Sequence, residues 1–351
     1  MTSASAIDTA AGRRPGPTLA LPATPRFEWT VVGLSFAIGV AAHLDTWAHG
    51  HLASALETFL TPWHALLYAS VAATTGFLVI SAALTRSRGA EWRRALPDGY
   101  GLSLVGCGTF VVGGVLDGAW HVAFGLERNF QALVSPTHVV LIAGAGLVAS
   151  GPLRAAWRRP GRAIGWTGIA SATLTLSAVT YFAQFVHPFT SQWAALPLPQ
   201  AGVPAEQAQQ LGILGIVVHS GLLMGVVLLL VRRFALPFGS LTLLAGVTAA
   251  FVTMVKSADP IMLVGVLGGL AADALYVLLR PSPARLPRFR LFAFLVPLLL
   301  YSFYFTYLIG ATGVWWPVHL WAGAPLVAGL TGLLVSIVAV PPPAPTPELV
   351  R

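Results

Sequence analysis

The chain is poor in the residues that most soluble proteins use. It has a single cysteine, Cys107, among 351 residues, and only 9% of its residues are charged. One thiol excludes an intramolecular disulfide and any thiolate metal cluster, so a metal site in this protein must use nitrogen and oxygen donors. Scarce charge, 56% hydrophobic residues and a mean hydropathy of +0.76 exclude an ordinary soluble domain. Several signatures are missing as well. There is no Gly-Lys-Ser/Thr phosphate loop, no H-E-x-x-H and no G-x-S-x-G, which leaves ATP-driven transport and the commonest membrane hydrolases without support.

What remains is a set of long apolar runs. A helix needs about 20 apolar residues to cross the hydrocarbon core, and ten segments qualify: 27–48, 60–84, 99–122, 134–153, 163–187, 211–231, 236–255, 259–280, 290–312 and 317–340. The expected fold is all-α, a polytopic membrane helical bundle with about ten transmembrane helices in tandem two-helix repeats. Residues 1–25 read as a disordered tail rather than a signal peptide, and 341–351 as a Pro-rich tail. Residues 26–155 form a four-helix half and 156–340 a six-helix half.

The net charge of +8 raises the question of a nucleic-acid partner, and the placement of the arginines answers it. Arg86, Arg88, Arg93 and Arg94 follow the second segment; Arg154, Arg158, Arg159 and Arg162 follow the fourth. Arg232 and Arg233 follow the sixth, and Arg280, Arg285, Arg288 and Arg290 the eighth. Alternate loops are basic, so by the positive-inside rule they and both termini are expected in the cytoplasm of a plasma-membrane protein. The expected partner is the lipid bilayer, and no nucleic acid is implied.

All nine histidines fall at the opposite, outward ends of the segments or in the outer loops. The first segment ends in Asp45-Thr-Trp-Ala-His49, and the second opens with Thr61-Pro62-Trp63-His64. The third ends in Asp117-Gly-Ala-Trp-His121, and the fourth opens with Ser135-Pro136-Thr137-His138. Residues four apart share a helix face, so each Asp/His pair converges, and the histidine of the next segment can meet it across the hairpin. Asp45, His49 and His64 form one candidate metal set, and Asp117, His121 and His138 the other. Carboxylate with two imidazoles suits copper, and iron or zinc would accept the same donors. Glu57 and Glu127 in the intervening loops read as groups that orient imidazoles.

Blander roles compete. An interfacial histidine is often an amphipathic anchor bonded to a carbonyl, which is the simpler reading of His43, His51 and His187. His219 and His319 stand open between anchor and ligand. Trp47, Trp63, Trp120, Trp315 and Trp316 read as an interfacial aromatic belt.

D117-G-A-W-H121 followed by S-P-T-H138 resembles the copper site of the third membrane subunit of particulate methane and ammonia monooxygenases, and D45-T-W-A-H49 with T-P-W-H64 resembles that subunit's second site. The likeness covers segments one to four. It departs in the longer interval between His121 and His138, in Asp45 where the family has Asn, and in the reversed order of the two elements. It implies a copper-dependent, monooxygenase-like oxidoreductase subunit that works with an electron donor and other membrane subunits. The alternative class is a copper or divalent-metal carrier or storage protein, with the histidines that open segments two, four, six and ten as its path.

Overall fold

The computed structural model describes residues 23–52, 61–125, 130–197, 202–256 and 259–341. The two tails, apart from residues 23–25 and 341, and the loop residues Glu57 and Glu127 lie outside them. Among the described residues thirteen α-helices follow one another, with no strand. They are α1 Pro25–His51, α2 Pro62–Ser87, α3 Gly101–Phe124, α4 Phe130–Val134, α5 Pro136–Ala149, α6 Gly151–Arg158 and α7 Trp166–Phe182. After them come α8 Pro188–Ser191, α9 Ala205–Arg233, α10 Ser240–Met254, α11 Met262–Leu279, α12 Leu286–Ala311 and α13 Val318–Ala339.

Every one of the ten apolar segments holds a helix, but they are unequal. Seven (α1, α2, α3, α9, α11, α12 and α13) are long and apolar enough to cross a membrane, and α5 with α6 makes an eighth if that pair, bent by 44°, is one span. The protein is therefore a multi-pass membrane protein, with seven or eight helices among the described residues that could span the bilayer. The fifth and seventh segments are shorter than expected: α7 has 17 residues and α10 has 15. At 1.5 Å per residue they reach only about 25 Å and 22 Å, against a hydrocarbon core of about 30 Å.

Local sequence explains the helix starts. Thr24, Thr61 and Ser135 are N-caps followed by proline at the first helical position, and each cap hydroxyl accepts a backbone N–H three residues on. Proline is tolerated there because its missing N–H would have been unpaired. The N-cap of α10 is Gly239, which has no side chain to offer, and Asp273 of α11 takes over the task. Its carboxylate accepts from Leu241 N at 3.2 Å, Thr242 N at 2.9 Å and the Thr242 hydroxyl at 2.7 Å.

Two cores carry the packing. One joins α1, α2, α3 and α5 through Val31, Ile38, Leu78, Tyr100, Phe110 and Leu141; the other joins α7 to α13 through Phe189, Met224, Phe234, Phe292 and Tyr301. A small group of Val32, Ala149, Leu174 and Phe251 lies between them. The closest approach in the first core is α3 on α5. A Cβ on Gly106 would fall 2.7 Å from the Gly144 carbonyl, and one on Gly144 would fall 2.8 Å from that of Gly106. Only glycine at both positions lets these backbones meet, as small residues do at membrane helix interfaces. Helix α7 stitches the cores together: the Ser171 hydroxyl donates to Ala149 O of α5, and the Thr46 hydroxyl of α1 pairs with the Tyr181 hydroxyl.

Candidate metal centre

Both sets are assembled in the same manner. The aspartate and first histidine lie in the C-terminal part of α1 or α3; the second histidine is the third residue after the N-cap of α2 or α5. In the first set Asp45 Oδ1 is 3.7 Å from His49 Nε2, and Asp45 Oδ2 is 3.5 Å from His64 Nε2. Thr61 holds the second histidine twice, since its hydroxyl accepts from His64 N at 3.1 Å and pairs with His64 Nδ1 at 3.0 Å. That contact fixes the ring and leaves Nε2 turned to the carboxylate, the arrangement by which outer hydrogen bonds orient an imidazole ligand.

In the second set Asp117 is 2% exposed and accepts from the Thr137 hydroxyl at 2.7 Å, a satisfied buried carboxylate oxygen. His121 Nε2 lies 3.2 Å from Asp117 Oδ2. His138 Nδ1 lies 3.5 Å from Asp117 Oδ1 and only 2.6 Å from the Ser135 hydroxyl. The rings of His121 and His138 stand 6.2 Å apart, against 5.2 Å for His49 and His64. Among the described residues, the first set is the one that closes: one donor atom each from Asp45, His49 and His64 lie within 4.8 Å of one another. Ligands at about 2.0–2.1 Å from an ion can be at most about 4.2 Å apart. A spread of up to 4.8 Å is within a small side-chain adjustment of that limit.

No protein-family model, curated protein or solved structure matches this chain. The site must therefore be judged on its own chemistry.

The two sets open on one cavity of about 100 Å³, lined by Asp45, His64, Asp117 and His138. Asp45 Oδ1 is buried without a hydrogen-bond partner, because the His49 nitrogen at 3.7 Å is out of reach. A buried carboxylate oxygen without a partner, beside two imidazoles, is what a bound cation would satisfy. The donor set fits a divalent transition metal of the borderline class.

The remaining histidines separate from this centre. His51 Nδ1 bonds Trp47 O at 2.9 Å on its own helix, and the exposed His319 stands in the first turn of α13. His187 and His219 are buried together with rings 4.2 Å apart, far along the chain from either set. His187 Nδ1 accepts from Phe189 N, so it caps α8, and His219 Nδ1 pairs with the Tyr301 hydroxyl at 2.8 Å. Asp259 is tied to Gln192, Tyr307 and Ile261 N. Asp273 is the cap described above.

Several cavity residues carried no sequence signal. Ser35, Tyr68, Tyr181 and Phe251 line it from α1, α2, α7 and α10. Thr137 was visible only as part of S-P-T-H, with nothing to mark it as the partner of Asp117. His43 lines the cavity too, with its Nδ1 2.8 Å from Gly39 O.

Proposed function

We propose that this is an integral membrane metal-binding protein in which Asp45, His49 and His64 hold a copper ion, with Asp117, His121 and His138 as a second, looser site. In this reading it works as a monooxygenase-like oxidoreductase subunit. Closure of the first set around an unsatisfied Asp45 oxygen carries the metal part of the proposal; the resemblance of segments one to four carries copper and the reaction class. When bound, copper supplies one-electron redox chemistry next to an apolar cavity.

The chain's own groups have distinct tasks. Asp45 provides the anionic ligand, and Thr61 keeps His64 in register by holding Nδ1. Thr137 fixes Asp117 through one oxygen, leaving the other to His121. Ile38, Leu67, Phe110, Leu141 and Leu174 wall the cavity and exclude bulk water, which strengthens every charge interaction inside. We further propose a ten-segment topology in the plasma membrane with both termini cytoplasmic, the two sites near the extracytoplasmic face, and an electron donor and other membrane subunits as partners.

The test separates the two classes of function. Copper-loaded protein in nanodiscs, given a quinol, should consume dioxygen, and His64→Ala should abolish that consumption. Copper-loaded wild type that takes up no dioxygen, while the same preparation in sealed vesicles imports copper in a His64-dependent way, would replace the oxidoreductase by the carrier.

A further inference from the structure

The arginines at one end of the bundle are not all used alike. The α6–α7 and α9–α10 loops meet there, Ala235 N donating to Arg162 O at 2.8 Å, and a bond from Leu236 N to the Tyr276 hydroxyl at 3.1 Å brings in the last turn of α11. Around α6 the protein consumes its own cations. Arg154 donates to Gly99 O and the Ser103 hydroxyl, Arg159 pairs with the buried Glu28, and Arg158 pairs with Asp98. Arg233 donates to Trp157 O and Arg159 O.

The α11–α12 loop is different. Arg280, Arg285, Arg288 and Arg290 lie between Leu279 and Leu291, and no Asp or Glu stands between Asp273 and Glu348. The Asp273 carboxylate is already taken up by the start of α10. Among the described residues these four side chains enter no ion pair and donate no hydrogen bond. Arg280, Arg285 and Arg288 are exposed, and Arg290 is half-buried. Arg285 is the N-cap of α12 and Arg288 lies in its first turn, where the partial charge of the helix is itself positive and no acidic side chain offsets it.

This unbalanced charge borders apolar surface. Val277 and Leu278 in the last turn of α11 and Leu291 on α12 are 55%, 75% and 45% exposed. A soluble phosphate would satisfy the guanidinium groups and leave those side chains bare. A phospholipid satisfies both, because guanidinium offers paired N–H donors to phosphate oxygens while acyl chains cover the apolar faces.

We propose that the α11–α12 loop binds an anionic phospholipid, its headgroup phosphate held by Arg280, Arg285, Arg288 and Arg290 and its acyl chains lying on Val277, Leu278 and Leu291. Basic clusters at the ends of membrane helices recognise anionic headgroups in this manner. The site lies on helices that carry none of the six metal-ligand candidates, so it stands whether or not those residues hold a metal.

The test is native mass spectrometry of protein released from nanodiscs that contain phosphatidylglycerol and phosphatidylcholine in equal amounts. Wild type should keep phosphatidylglycerol in preference to phosphatidylcholine. An arginine near an anionic headgroup is worth roughly five-fold in affinity, so the triple variant Arg285→Gln, Arg288→Gln, Arg290→Gln should lower the retained phosphatidylglycerol by roughly ten-fold or more. The corresponding triple lysine variant, which keeps the charges, should preserve the preference. So should Arg88→Gln, Arg93→Gln, Arg94→Gln in the α2–α3 loop, which has its own Glu91 and Asp98. Equal retention of the two lipids by wild type overturns the proposal without recourse to any variant. An undiminished preference in the α12 glutamine variant, or an equal loss in the α2–α3 variant, overturns it as well. Glycerol phosphate, which has the anion and no acyl chains, should not displace the lipid at equal concentration; displacement would make this a soluble-anion site and overturn the lipid assignment.

Discussion

At the scale of single residues, one hydroxyl does two jobs in each set. Thr61 caps α2 and holds His64 Nδ1; Ser135 caps α5 and holds His138 Nδ1. Thr61→Val should therefore cost about 1 kcal/mol through the lost cap and weaken metal binding by roughly 10- to 100-fold through the lost imidazole partner. Calorimetric titration checks the second effect, and Thr61→Ser should restore both. All six proposed ligands were legible in the sequence because their spacings are local: four residues along a helix, and three after a Ser/Thr-Pro cap. The surroundings of His43 were not legible, since Phe251 and Tyr181 reach it from α10 and α7. The same holds for Thr137, whose partner Asp117 lies on a different helix.

At the scale of helices, the α3–α5 contact positions the Asp117 set, and glycine is what makes it possible. Gly106→Val should destabilise the protein by about 1–3 kcal/mol through overpacking, read as a lowered Tm in detergent. Gly108→Ala, where a Cβ would meet nothing within 4 Å, should leave Tm nearly unchanged. A second expectation concerns α10. Asp273→Ala leaves the Leu241 and Thr242 amides and the Thr242 hydroxyl without their acceptor, which should cost about 1–3 kcal/mol while metal content stays that of wild type; a loss of metal would put Asp273 in the site. The helices themselves were legible because apolar composition marks where lipid or core surrounds the chain. Their lengths were not. Hydropathy reads 134–153 as continuous, whereas the chain bends at Ser150 between α5 and α6, and it does not show that α7 and α10 stop at 17 and 15 residues.

At the scale of the whole molecule, the apolar exterior is that of a membrane protein. Val112, Val115, Leu267 and Val338 all lie outward, more than half exposed, as lipid-facing residues should. The proposed sidedness rests on the arginine loops and can be tested directly. In a Cys107→Ser background, an impermeant thiol reagent on intact cells should label Thr312→Cys, at the end of α12, and spare Ser87→Cys, at the end of α2; the reverse pattern would invert the topology and place both metal sets inside.

The most direct measurement of the central claim is metal stoichiometry. Purified wild-type protein loaded with copper and dialysed should retain at least one ion per chain, with nitrogen couplings in its electron paramagnetic resonance spectrum. Asp45→Ala should lose that ion, while Asp273→Ala keeps it. Wild type that retains no stoichiometric copper, iron or zinc, or an Asp45→Ala protein that retains as much as wild type with the same spectrum, would contradict the assignment of this cluster as a metal centre.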